Sequence, residues 1–95
     1  MKFIQVIEET RDIEEAKAEI EGLIESVGDE TTVKNLILCA DRDVPEKIVT
    51  IVEFESWESA DQNNQVDEIQ ESAADAQENT GATYQNLDVH HEWSL

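Results

Sequence analysis

The amino-acid sequence predicts an α+β fold of the ferredoxin-like type, βαββαβ, in which a four-stranded antiparallel sheet carries two helices on one face. Three features predict it. Four segments are rich in β-formers, and two others carry apolar residues at helical spacing. The segments follow one another as strand, helix, strand, strand, helix, strand. Ninety-five residues are enough for one domain, 1–95, and no more.

Each element has its own local signal. KFIQVIEE, residues 2–9, alternates as a strand, with Ile4 and Val6 on one face and Phe3, Gln5 and Ile7 on the other. Asp12 to Val27 reads as a helix. Asp12 and Glu15 form a capping box, and Ile13, Ala16, Ile20, Leu23, Ile24 and Val27 make one apolar stripe. Gly28 follows as a C-terminal cap, and Gly22 inside the helix suggests a close approach to the sheet. Thr31–Ala40 and Lys47–Glu55 are strands joined by DRDVPE, hence an antiparallel hairpin. A second helical region opens at Ser56, with Ser59 and Gln62 as a capping box. It breaks near Asn63 and Asn64, restarts with Asn64 as cap ahead of Asp67 and Glu68, and runs to about Asn79. Gly81 terminates it, and Thr83–Trp93 is the fourth strand.

Composition narrows the function. Twenty-four acidic and six basic residues give a net charge of −18, which disfavours nucleic acid and anionic membrane surfaces as partners. The acids are spread over both helical regions, as on a solvated face. One cysteine, Cys39, rules out an internal disulfide and reads as a small buried hydrophobe. No apolar run has the length of a membrane span, and Met1 leads straight into a strand, so a cytoplasmic protein is expected. A chain this short buries a modest share of its surface, which favours a homodimer. No phosphate loop, serine elbow or zinc-spaced cysteine pair occurs, and no cofactor is assigned.

The segments LILCADRDVPEKIVTIVEFESWESADQNNQVDEIQESA and YQNLDVHHEW resemble the dimeric α+β barrel superfamily, in its branch related to antibiotic-biosynthesis monooxygenases. The resemblance implies a homodimer with its sheets face to face and helices outside, and a ligand cleft between each sheet and its helices. Members include cofactor-free monooxygenases of polycyclic aromatics, haem-degrading enzymes, isomerases, and proteins without known activity. Haem-degrading members use an asparagine on the first strand and a tryptophan and a histidine on the second helix. Those positions fall here on Gln5, near Asn63 and near Ala73, so the pattern for haem degradation is not met.

The candidate site residues follow from side-chain chemistry. Asn63 shares a helix face with Ala60, Val66, Ile69, Ala73 and Ala76, where an amide needs a partner: a ligand, or the strand backbone. The small Ala60, Ala73 and Ala76 either leave room for a ligand or let helix and sheet pack closely. Trp57 at the helix start closes one end of such a pocket or anchors the packing, and Gln5 is a ligand contact on the first strand. On the fourth strand, Asp88, His90 and Glu92 share a face with Tyr84 and Asn86, a polar stripe to which no metal is assigned. Leu87, Val89, His91 and Trp93 share the other face, with His91 as a core histidine or a general base. His91 and Tyr84 are the catalytic candidates; Asn63, Trp57 and Gln5 are the ligand-binding ones. The expected ligand is a small hydroxy-aromatic, with a non-catalytic binding or interaction protein as the alternative.

Overall fold

A computed structural model describes residues 1–95, all but the side chain of Glu68. The elements are β1 (Phe3–Thr10), α1 (Ile13–Val27), β2 (Val33–Ala40), β3 (Lys47–Phe54), α2 (Trp57–Asn64), α3 (Asp67–Asn79) and β4 (Thr83–Asp88), with one 3-10 turn at Gly28–Glu30. The sheet order is β2-β3-β1-β4 and every pairing is antiparallel. This is the ferredoxin-like α+β arrangement that the sequence predicts.

Helix starts and stops have identifiable causes. Asp12 caps α1 by accepting the Glu15 backbone N–H at 3.1 Å. Gly28 ends α1 at φ 56°, a left-handed conformation that glycine adopts without a Cβ penalty. Ser56 caps α2 through the Ser59 N–H at 3.2 Å, so the expected Ser59–Gln62 box is displaced by three residues. Both asparagines lie inside α2, and the break falls at Gln65–Val66. Val66 occupies the N-cap of α3 without a side-chain bond, so Asn64 is not the cap. A Cβ added at Gly22 would meet nothing within 4 Å, so no close approach explains that glycine.

Two strands are shorter than their sequence patterns. β2 starts at Val33, because Thr31 and Thr32 bond to α2 instead of to the sheet. β4 ends at Asp88 rather than Trp93. The reason lies in its neighbour: Asp88 pairs with Phe3, the first residue of β1. Beyond it the Lys2 carbonyl accepts one further bond, from the Val89 N–H at 2.8 Å, and then the partner strand runs out.

The core lies at one end of the sheet. Phe3, Val52, Phe54 and Ala60 are buried together, with Ile7, Val33 and Leu36 against them. β3 alternates strictly, burying Ile48, Thr50, Val52 and Phe54 beneath the helices. The opposite sheet face is uncovered and carries Ile4, Val6, Ile37, Val49, Ile51 and Leu87, with Ile37 and Leu87 nearly half exposed. Cys39 pairs with Val49 on that face and is half-buried, not part of the core. No helix is long and apolar enough to cross a membrane among the described residues.

Candidate functional site

Only α2 packs tightly on the sheet. Ala60 is 1% exposed, and its small side chain lets the helix backbone approach Phe3 and Phe54. Trp57 meets the Phe3 ring edge-on at 5.3 Å, a favourable aromatic geometry. Asn63 fixes the other end of α2. Its Oδ1 accepts the Thr31 hydroxyl at 2.9 Å and the Thr32 N–H at 3.4 Å, while the Thr32 hydroxyl donates to the Ser59 carbonyl. These bonds join α2 to the chain entering β2 and satisfy a buried amide oxygen.

The helices α1 and α3 have no comparable seat. No described residue of α3 is fully buried, and α1 buries only Ala16 and Val27. Between these helices and the sheet lies a cleft of about 900 Å³. Ile20, Leu23 and Ile24 of α1 line it, as do Ile69, Ala73 and Ala76 of α3. Its sheet side carries Gln5 and Ile7 of β1, Leu36 of β2, Thr50 and Val52 of β3, and Tyr84 and Asn86 of β4.

Polar groups stand at defined places in this apolar space. Asn63 lines the α2 end, and its amide NH₂ donates to no other described residue. Gln5 and Asn86 are directly paired across β1 and β4, and Gln5 Nε2 donates to Asn86 Oδ1 at 3.1 Å. At the far end Arg11 pairs with Glu19 and, at 3.5 Å, with Glu9. Ser72 of α3 donates to Glu19 at 3.2 Å, and Thr80 donates to Glu9 at 3.1 Å. This network ties β1, α1 and α3 together where the apolar packing does not. Tyr84 lies close to it. Burial raises the phenol pKa above its ordinary value, and the negative charges of Glu9 and Glu19 raise it further, so Tyr84 is a neutral donor.

Of the residues singled out from sequence, the fold brings Gln5, Asn63 and Tyr84 to one cleft. Trp57 and His91 are not among the residues lining it. Trp57 covers the core at the Phe3 end and is 48% exposed. His91 sits beyond the end of β4, exposed, with its ring against His90 and Trp93. Its strand face was also the wrong one: the cleft takes the polar Tyr84–Asn86 face of β4, and Leu87 points to the uncovered side. The Asp88–His90–Glu92 stripe is not assembled, because Glu92 pairs with Lys2 and His90 turns to His91. Among the described residues no group of three or more His, Cys, Asp or Glu side chains converges on one point.

Sequence reading missed the Glu9–Arg11–Glu19 group. One signal was available: Glu19 falls within the helical stripe of Ala16, Ile20 and Leu23, where a carboxylate needs a partner.

Solved structures share this architecture. SnoaB, a cofactor-independent oxygenase from Streptomyces nogalater, superposes with a TM-score of 0.76 at 10% identity, covering 96% of this chain and 95% of that one. Rv0793 from Mycobacterium tuberculosis gives 0.76 at 13% identity, covering 99% and 100%. An antibiotic biosynthesis monooxygenase gives 0.68 at 15% identity, covering 94% and 98%. The fold is that of the antibiotic-biosynthesis-monooxygenase-like proteins. No protein-family model and no curated protein sequence matches the chain.

Tyr84 is the one tyrosine in the chain, so its ionisation can be followed directly by ultraviolet absorbance. Its midpoint is expected above the ordinary value of 10.0 in the folded protein. The stability this shift contributes is fully present below the unfolded pKa and is lost as pH rises through the folded one. A folded-state midpoint at or below that of the denatured chain would contradict a phenol buried beside Glu9 and Glu19.

Proposed function

We propose that the protein is a homodimer that binds a small aromatic molecule in the cleft and supports cofactor-free oxygenation of a hydroxy-aromatic. The cleft itself carries the reading. Its volume of about 900 Å³ suits a drug-sized ligand, its walls are mainly apolar, and Gln5, Asn63 and Tyr84 bring polar groups to it from separate elements. SnoaB, described as a cofactor-independent oxygenase, supports the choice of chemistry.

Such a reaction asks little of the protein. The hydroxy-aromatic, the enol form of a ketone with a ring methylene, releases its hydroxyl proton to water, and the electron-rich anion reduces dioxygen. A carbon–oxygen bond forms at the former methylene carbon, the peroxide takes a proton back from water, and the resulting hydroperoxide loses water to leave a carbonyl. One dioxygen is consumed and one water released for each methylene converted to carbonyl. In this scheme Tyr84 donates to the substrate oxyanion, the Asn63 NH₂ orients a second oxygen, and Gln5 with Asn86 sets the ring plane. His91 and Trp57 take no part within one chain.

A binding protein without turnover is the second reading. It is favoured by the mutual pairing of Glu9, Arg11 and Glu19, which engages the charged groups at that end of the cleft. A thermal-shift titration with hydroxy-aromatics and quinones tests binding, and oxygen uptake separates the two readings. A ligand at a hundred times its dissociation constant adds about 2.7 kcal/mol of stability. Asn63→Ala and Tyr84→Phe are expected to reduce that shift. No shift from any compound would remove the ligand; a shift without oxygen uptake would leave the binding protein.

The homodimer rests on the uncovered sheet face. Six apolar side chains there are more than a solvated antiparallel face ordinarily shows, and a second copy would bury them. Light scattering at physiological salt is expected to give twice the single-chain mass, and Ile51→Asp to give one chain. A wild-type monomer would contradict the dimer.

A further inference from the structure

The end of β4 brings together two side chains that a continued strand would hold apart. Val89 is tied to Lys2 through the backbone at 2.8 Å, and Glu92 to the Lys2 ammonium at 3.1 and 3.2 Å. His90 and His91 lie between these two anchors, both of which converge on one residue. Their rings are 4.5 Å apart and their Nδ1 atoms face each other at 2.6 Å. Trp93 stacks on His91 at 5.6 Å with an interplanar angle of 17°, which restrains that ring.

The geometry points to a two-histidine chelate for a divalent transition metal, formed by His90 Nδ1 and His91 Nδ1 and separate from the cleft. Two neutral imidazoles in this arrangement share one Nδ1–H. A metal takes its place once the donating ring shifts that hydrogen to Nε2, with no proton released. The bite selects the geometry. With metal–nitrogen bonds of about 2.0 Å, a right-angled pair of ligands lies about 2.8 Å apart and a tetrahedral pair about 3.3 Å. The short separation suits the tetragonal preference of Cu²⁺ or Ni²⁺ over tetrahedral Zn²⁺. The two rings are exposed, so water completes the coordination, and the net charge of −18 concentrates cations at the surface.

Trp93 provides the readout. Titrating the metal-free protein with Cu²⁺ is expected to quench Trp93 emission at one ion per chain, with electron paramagnetic resonance showing two coordinated nitrogens. Either His90→Ala or His91→Ala weakens binding by an order of magnitude or more. Trp93→Phe removes the quenched emission but retains the two-nitrogen signal. Ni²⁺ is expected to outcompete Zn²⁺. No quenching at one equivalent would overturn the site, as would equal Cu²⁺ uptake by the double histidine variant, which would assign the metal to the acidic surface. A preference for Zn²⁺ over Ni²⁺ would overturn the tetragonal assignment. Circular dichroism checks that the variants remain folded, which the exposure of both rings leads one to expect.

Discussion

The seat of α2 on the Phe3–Phe54 end of the sheet is the constraint on which the rest of the molecule depends. Ala60 is small enough for the helix to come close, and the aromatic pair Phe3–Phe54 is buried in the same cluster beneath it. Asn63 then ties α2 to the start of β2. With that end fixed, the break at Gln65–Val66 redirects the chain. α3 leaves the sheet and meets α1, and the two helices stand over the cleft instead of filling it. Their attachment at the far end is polar, through Arg11, Glu19, Ser72, Glu9 and Thr80. A chain of 95 residues thus divides its apolar side chains between a dense end and an open one.

The alanine stripe shows how one pattern serves two purposes. Ala60, Ala73 and Ala76 share helical spacing, and the sequence offers no means of telling them apart. In the fold, Ala60 is buried against Phe54, whereas Ala73 and Ala76 line open space. The distinction arises because the break between α2 and α3 gives the two halves different relations to the sheet. Close packing and open space therefore apply to different parts of one stripe.

Much of the architecture was legible because its signals are local. The alternation of β3, the capping of α1 by Asp12 and the βαββαβ order all follow from neighbouring residues. Where tertiary contacts decided, the sequence misled. The pattern of β4 continues past Asp88, but beyond Phe3 only the Lys2 carbonyl still pairs with it, through the Val89 N–H, so the strand stops and His91 leaves the sheet. Asn64 has the chemistry of a cap, yet it remains inside α2 and Val66 takes the N-cap. Of the site, Gln5 and Asn63 were legible as polar residues on otherwise core-facing patterns, whereas Tyr84 stood in the polar stripe of β4, whose cleft-facing side the sequence did not reveal. The charged group at the other end was not, since Glu9, Arg11 and Glu19 come from two elements and the turn between them.

The open cleft beneath α3 is most directly tested by filling it. Ala73→Leu places a larger apolar side chain where the structure has space. The variant is expected to unfold in denaturant at the same midpoint as the parent protein or a higher one. Inserting the same atoms into a closely packed helix–sheet interface costs about 1–3 kcal/mol. A loss of that size would mean that α3 rests on the sheet as tightly as α2 does, and that the protein has no cleft for a ligand.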